Sequence, residues 1–325
     1  MYKLTIIIPT YNGGGWIEDT INSVLYQLKG KRDQVELFVR DNASTDDTPS
    51  VIDRLNKGNE GVIHYDRRET NVDADVNFKE AVSMTSSDYV LLLGDDDLLF
   101  PNFIKYTLEL IERYPGIGLI YYNRICTSRD YNGAKLKHLN PNSTFERFYE
   151  NTEDFIKDHI TGPDFMSVNV VKRECLEKGI TQPTDRYYGV KWYYSLLYGL
   201  KGHQCLSLFT PMILQRVPSV RMWSNKVLLY VAIGMDNLFE DLSKIYPNVY
   251  RAWQDYSDNN VPTMNFILSS ITANRKLYKE KWGELSTKLG TFEREVAKVL
   301  IFYPVSTPVV KLFCRVLLKF KIIKG

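Results

Sequence analysis

The alternation of the first 125 residues constrains this chain most. Apolar runs at 4–8, 35–39, 62–65 and 89–93 are rich in β-branched, aromatic and leucine residues and read as strands. Between them, residues 16–28, 48–56 and 78–84 read as helices. In the first of these, Trp16, Ile17, Ile21, Val24, Leu25 and Leu28 fall on one helical face. Pro9 is expected to stop the first strand, and Pro49 suits the first turn of the second helix. Strands alternating with helices predict an α/β fold with a mostly parallel sheet flanked by helices. Parallel neighbours need a crossover, and the crossover helix buries its apolar face on the sheet. Crossovers of one hand bring the carboxyl ends of the strands to a common edge, where ligands bind. Polar loops follow the strands at Tyr11, Asp41 and Asp95, so these three should gather at one edge.

The loop after the fourth strand carries the sharpest chemistry. Tyr89-Val90-Leu91-Leu92-Leu93 runs into Gly94-Asp95-Asp96-Asp97 and then returns to Leu98-Leu99. Adjacent carboxylates at the end of a buried strand repel one another and lose hydration unless a cation or a hydrogen-bond network compensates. Oxygen-only donors suit a hard ion, Mg²⁺ or Mn²⁺. The plain alternative is a solvated Gly-Asp turn. Side chains along an extended segment alternate in direction, so all three carboxylates cannot bind one ion directly.

Composition excludes several classes. The 325 residues carry a net charge of only +2, which gives no global field for nucleic acid. Cys126, Cys175, Cys205 and Cys314 are scattered, without a paired spacing for zinc or a disulfide framework, so a reducing, cytoplasmic setting is expected. The first residues read as a strand rather than a leader, and no apolar run is long enough to span a bilayer.

Past residue 126 the strand and helix signals continue to about 223, with strands expected at 165–171, 205–209 and 212–216, and a single domain over 1–223 is expected. It divides into two parts, 1–125 and 126–223. Residues 224–325 read as a helical extension, with one helix expected from 285 to 303, that could support an oligomer. At its end, Lys311, Arg315 and Lys319 alternate with Leu312, Phe313, Val316, Leu317 and Phe320, and no acid follows Glu295. A basic amphipathic helix of this kind suits an anionic membrane surface, which predicts a peripheral protein on the inner face of the cell membrane.

Three segments, each after a strand, carry a resemblance: Ile6-Ile7-Ile8-Pro9-Thr10-Tyr11-Asn12, Asp41-Asn42-Ala43-Ser44-Thr45-Asp46 and Gly94-Asp95-Asp96-Asp97. In this order they resemble the family 2 glycosyltransferases of GT-A, Rossmann-like fold. The Gly-Asp-Asp-Asp form and the Asn71 to Phe78 connector are similar to the bacterial abequosyltransferase-like O-antigen enzymes. The resemblance covers residues 3–125 and weakens beyond, and it implies that 1–125 is the nucleotide-sugar half and 126–223 the acceptor half. It implies an inverting transfer from a nucleotide-diphosphate sugar, UDP- or dTDP-linked, to a glycan or lipid-linked oligosaccharide in surface polysaccharide synthesis. Pro9, Thr10, Tyr11, Asn12, Asp41, Asn71 and Asp95 would hold the donor, with Asp41 accepting from the base imide N–H. Asp96 would ligate the metal. Asp97 would ligate through water or fix the loop. Val76 stands where many relatives carry Arg, and Asp73 replaces a Gly.

Inversion also needs a base near the acceptor hydroxyl. Where relatives carry a Glu-Asp pair, this chain has Val190-Lys191. Asp185 and Asp164 are the candidates, followed by His159 and His203. Trp192 and Tyr188 are the candidate acceptor platforms, because flat aromatic faces suit sugar rings. Two other readings remain open. A nucleotidyltransferase would need a basic Gly-rich loop, and Gly13-Gly14-Gly15 has no Lys or Arg beside it. A nucleotide-sugar-binding protein that has lost catalysis is suggested by the missing Glu-Asp pair.

Overall fold

A computed structural model describes residues 1–128, 135–137, 146–217, 226–260, 267, 270–271 and 273–302. In chain order the elements are β1 (Leu4–Thr10), α1 (Ile17–Leu25), β2 (Val35–Asp41), α2 (Thr48–Gly58), β3 (Ile63–Arg67), α3 (Ala74–Ser83), β4 (Tyr89–Leu92), β5 (Leu98–Leu99) and α4 (Phe103–Arg113). They continue with β6 (Leu119–Ser128), β7 (Lys135–Lys137), β8 (Arg147–Tyr149), α5 (Thr152–Asp158), β9 (Asn169–Lys172), α6 (Arg173–Ile180), α7 (Lys191–Gly199) and β10 (Cys205–Val217). A further series of helices follows.

The strands form one sheet in the order β3-β2-β1-β4-β9-β6-β10-β5, with β7 on β6 and β8 on β10. The four strands read from the alternation are mutually parallel: β1 lies between β2 and β4, and β3 flanks β2. β9 is antiparallel to both neighbours, β4 and β6, so the later strands continue the same sheet in mixed sense. Residues 165–171, expected as a strand, form a short 3₁₀ turn at Met166–Val168 before β9 begins. The strands expected at 205–209 and 212–216 are one strand, β10, whose register against β6 shifts around Pro211.

Pro9 does not stop β1, which runs on to Thr10. The pairing with β4 ends at Ile7 and Leu92, where Leu93 N–H donates to the Ile7 carbonyl. Two residues on, Pro9 faces the same side, where β4 has already turned away. Its missing N–H therefore leaves no ladder bond unmade.

Chain contacts divide the molecule into two units. One comprises Met1–Pro183 with Trp192–Ser219, and the other comprises Thr184–Lys191 with Val220–Gly325. In the first, Leu4, Ile6, Ile7, Ile8, Leu37, Val39, Val90 and Leu91 are buried at the centre of the sheet, as a sheet covered on both faces requires. Helices α6 and α7 touch backbone to backbone: a Cβ at Gly179 would lie 1.8 Å from the Ser195 carbonyl oxygen, so only glycine fits there. The second unit has its own core, built from Leu228, Leu229, Ile233, Tyr278, Leu285, Ala297 and Leu300 among others. Its helix from Val227 passes through a π-helical stretch, Tyr230–Met235, before Asp236–Leu242. The helix expected from 285 to 303 is broken near Leu289, and a new one spans Thr291–Phe302. The basic stretch at 309–324 lies outside the described residues, and among those described no helix is long and apolar enough to cross a membrane.

Candidate active site

The parallel strands deliver their polar loops to one edge. β1 leads to residues 11–16, β2 to 42–47 and β4 to 93–97. Strand order turns back at β1, with β2 on one side and β4 on the other, which makes this the switch point of the sheet.

Side chains join the three loops directly. The Thr10 hydroxyl donates to Asp95 Oδ2 at 2.6 Å. Asn42 N–H donates to the Thr10 carbonyl at 2.9 Å. Asn12 N–H donates to Ser44 Oγ at 2.9 Å, and Asn12 Oδ1 accepts from Thr45 N–H at 2.8 Å. Asn12 and Ala43 both take left-handed backbone angles, with φ of 54° and 61°. Ala rarely pays this cost, and such conformations persist where surrounding bonds over-determine them, often at functional sites. Tyr11 is 50% exposed at the rim. Asn71 donates to the Asn42 carbonyl at 2.9 Å and so braces the second loop.

Asp41 is fully buried. Its Oδ1 accepts from Ser44 N–H at 2.8 Å, and its Oδ2 accepts from the Tyr65 hydroxyl at 2.9 Å and lies 3.3 Å from Arg67 Nε. Asp41 therefore lies beneath the loop and ties it to β3.

The acidic loop has unequal members. Asp95 and Asp96 are partly exposed, whereas Asp97 is 1% exposed. Asp97 Oδ2 accepts from the Ser167 hydroxyl at 2.6 Å, and Ser167 Oγ in turn accepts from Gly94 N–H at 2.9 Å. Burial, and then the neighbouring Asp96, push the Asp97 carboxyl up to about 8. The folded state thus favours the protonated form. The stability this brings is full below the ordinary carboxylate range and is lost as pH rises towards about 8. In chelator, the melting temperature of Asp97→Asn is expected to gain on wild type as pH rises from 5 to 9. The gain should be about 3 °C or more, roughly what 1 kcal/mol is worth in a domain of this size. A constant difference across that range would mean that Asp97 is ionised throughout.

Gly13 and Gly14 owe their identity to this crowding. A Cβ at Gly13 would lie 2.5 Å from Asp95 Oδ2, and one at Gly14 would lie 1.7 Å from Asp47 Oδ1. Gly13 and Gly14 are packed against carboxylates, and Gly14 N–H already donates to Asp46 Oδ2 at 3.0 Å. A triphosphate cradle needs free amides and positive charge, so the nucleotidyltransferase reading loses its support.

A family model for glycosyl transferase family 2 matches residues 5–179, more than half of the chain, and spans all three loops. The chain belongs to glycosyltransferase family 2. Abequosyltransferase RfbV of Salmonella typhimurium is 35% identical over 111 residues, which cover 34% of this chain and 32% of that protein. The chain thus matches only about a third of that relative's length. GalNAc(5)-diNAcBac-PP-undecaprenol beta-1,3-glucosyltransferase of Campylobacter jejuni is 24% identical over 89% of this chain and 90% of that protein. Among solved structures, S. aureus TarS 1-349 superposes with a TM-score of 0.60 at 12% identity, covering 92% of this chain and 86% of that one. Mannosyltransferase PcManGT from Pyrobaculum calidifontis, in complex with GDP-Man and Mn²⁺, superposes with a TM-score of 0.56 at 15% identity, covering 95% of this chain and 86% of that one. These likenesses show the GT-A fold.

As a family 2 site, the acidic loop fits a hard divalent ion. It presents oxygen donors only, and a buried carboxyl pressed against Asp96 is the arrangement that a cation relieves. A second group of ligand types, Glu174, Cys175 and His203, has its donor atoms within 4.8 Å of one another. It lies at the other end of the sheet, where Arg173 N–H meets Asp88 at the start of β4. Glu174 already pairs with Lys172 at 2.6 Å, and burial raises the Cys175 thiol to about 12.

The remaining candidates are spread apart. Asp164 is partly buried in the loop that enters β9, on the same edge as the acidic loop and three residues before Ser167. Its Oδ1 accepts from Gly162 N–H at 2.9 Å. Beside it, the Arg124 guanidinium stacks 4.5 Å from the Phe165 ring centre. Asp185 and Tyr188 fall in the 184–191 segment, which belongs to the helical unit. Asp185 is exposed, Arg186 and Tyr187 bond Asp241, and Tyr188 lies under Lys281. Trp192 corrects the acceptor-platform expectation. It is 6% exposed and packs edge-on against Phe78, 5.8 Å between ring centres, so it has no face to offer a sugar. His159 is also core, enclosed by Tyr121, Tyr149 and Phe155, and burial lowers its imidazole to about 4. Sequence reading missed Thr20, Ser167 and Arg216. None carries a local signal, because each meets the acidic loop from 70 or more residues away.

Proposed function

We propose that this chain is an inverting, metal-dependent glycosyltransferase. Its donor would be a UDP- or dTDP-linked sugar and its acceptor a lipid-linked glycan in bacterial surface polysaccharide synthesis. The observation that carries this reading is the bond from Thr10 to Asp95, which joins the loop after β1 to the acidic loop at the switch point of a family 2 sheet. In this reading the base stacks against Tyr11 over the Pro9 to Asn12 backbone. Asp41 accepts the imide N–H in exchange for its contact with Arg67, whose side chain is nearly half exposed. Asp95, held by Thr10, faces the ribose and donor sugar. Asp96 would be the direct ligand of Mg²⁺ or Mn²⁺, and Asp97 would ligate through water or fix the loop. When bound, the ion offsets the charge that develops on the departing diphosphate. Asp164 takes the proton from the attacking hydroxyl as it closes on the anomeric carbon from the face opposite the diphosphate.

The lipid-linked acceptor is supported by a relative named for an undecaprenol-linked substrate that aligns over most of its length. Solved TarS structures in complex with UDP and with UDP-GlcNAc share the fold, with TM-scores of 0.55 and 0.53. A donor panel decides the reading. Purified protein with Mn²⁺ is expected to melt at higher temperature with one class of nucleotide sugar, and to release the matching nucleoside diphosphate when acceptor is added. A thermal shift without turnover on any undecaprenyl-diphosphate glycan would favour a binding protein that has lost catalysis, the reading that Val190-Lys191 suggests.

A further inference from the structure

Arg216, near the end of β10, is among the largest fully buried side chains, at 2% exposure. A guanidinium withdrawn from water costs several kcal/mol unless its donors are met, and an apolar residue of similar size is often no less stable in such a place. Here the donors are spent on a specific set of partners. Nε donates to the backbone carbonyl of Asp96. One terminal nitrogen meets Asp19 Oδ2 at 2.9 Å. The other donates to the Trp16 carbonyl at 3.0 Å and to Thr20 Oγ1 at 3.2 Å. Thr20 completes the frame, because its hydroxyl donates to the Asp95 carbonyl at 2.8 Å. The carbonyls of Asp95 and Asp96 are thus both gripped from behind, one by α1 directly and the other through a fork that also grips α1. Only a planar fork reaches all of these partners; an ammonium presents one point of charge.

We propose that Arg216 is a positioning residue for the metal-binding loop. By tying the peptide unit after Asp96 to α1, while Thr20 of α1 ties the one before it, Arg216 turns the Asp96 carboxylate towards the ion without touching ion or substrate itself. This rests on the reading of Asp96 as the metal ligand. A packing role alone would call for the volume of the side chain, and would leave the metal affinity untouched once the fold is secured.

Mn²⁺ binding, followed by calorimetry and by the electron spin resonance of the free ion, separates these roles without relying on turnover. Arg216→Lys keeps the charge and removes the fork. It is expected to weaken Mn²⁺ binding by about 10- to 100-fold, the usual effect of losing an outer-sphere support. Thr20→Val keeps the shape and removes both of its bonds, so it should shift affinity in the same direction even if Arg216→Lys folds poorly. Wild-type Mn²⁺ affinity in a folded Arg216→Lys or in Thr20→Val overturns the proposal, as does a loss confined to melting temperature. Wild-type protein that binds no Mn²⁺, with or without nucleotide, overturns the reading of Asp96 first and this inference with it.

Discussion

Asp96→Asn is expected to lower turnover by about 10³-fold while leaving the melting temperature within about 2 °C of wild type. An ion that offsets charge on a leaving diphosphate is worth several kcal/mol of transition-state stabilisation, and each 1.4 kcal/mol is about tenfold in rate. Asn keeps the shape of the side chain but lowers its charge and its strength as a ligand for a hard ion. Asp96 is partly exposed, and Arg216 holds the loop through the backbone carbonyl of Asp96, a bond that Asn keeps. Transfer is measured as nucleoside diphosphate release against Mn²⁺ concentration. A higher Mn²⁺ requirement together with a lower maximal rate identifies the ligand. Unchanged kinetics would move that role to Asp95 or Asp97. Asp97→Asn behaves differently in this account, because its largest effect is on the pH dependence of stability.

The second large effect is expected at Asp164. Asp164→Asn should reduce glycosyl transfer by about 10²- to 10⁴-fold, the range that a general base contributes, with Mn²⁺ and donor binding unaltered. Asp185→Asn should stay within a few-fold of wild type. Asp164 is favoured because the loop before β9 starts at the carboxyl end of β4, and Ser167 of the same loop bonds the acidic loop at two points. The reverse pattern, with Asp185→Asn inactive and Asp164→Asn active, would transfer the role to the 184–191 segment. A product of retained anomeric configuration, read by proton NMR, would remove the need for a base in either place.

Much of the fold was legible because its signals are local. The apolar runs at 4–8, 35–39 and 89–93 became the buried strands β1, β2 and β4, since side-chain period and strand length depend only on near neighbours. Gathering of the three polar loops followed from chain direction alone, and the Thr10–Asp95 and Asn12–Ser44 bonds realise it. The later strands were less legible. β9 runs against its neighbours, and β10 absorbs an irregularity at Pro211 that divides it into two strands by sequence. Nothing in a string of residues marks such a reversal, because register is settled between strands distant in the chain.

The sequence by itself determined the α/β class, the order of three strand-end loops and the presence of a charge cluster that needs compensation. Periodicity, turn chemistry and charge are carried within a few residues of one another. Only the tertiary structure decided how that cluster is supported. It set Asp97 under Ser167, turned Trp192 into core and brought Arg216 across 120 residues to the carbonyl of Asp96. Those outcomes depend on which strands become neighbours and on where burial strips water from a carboxyl or a guanidinium. They are properties of the packed sheet rather than of any short stretch of chain.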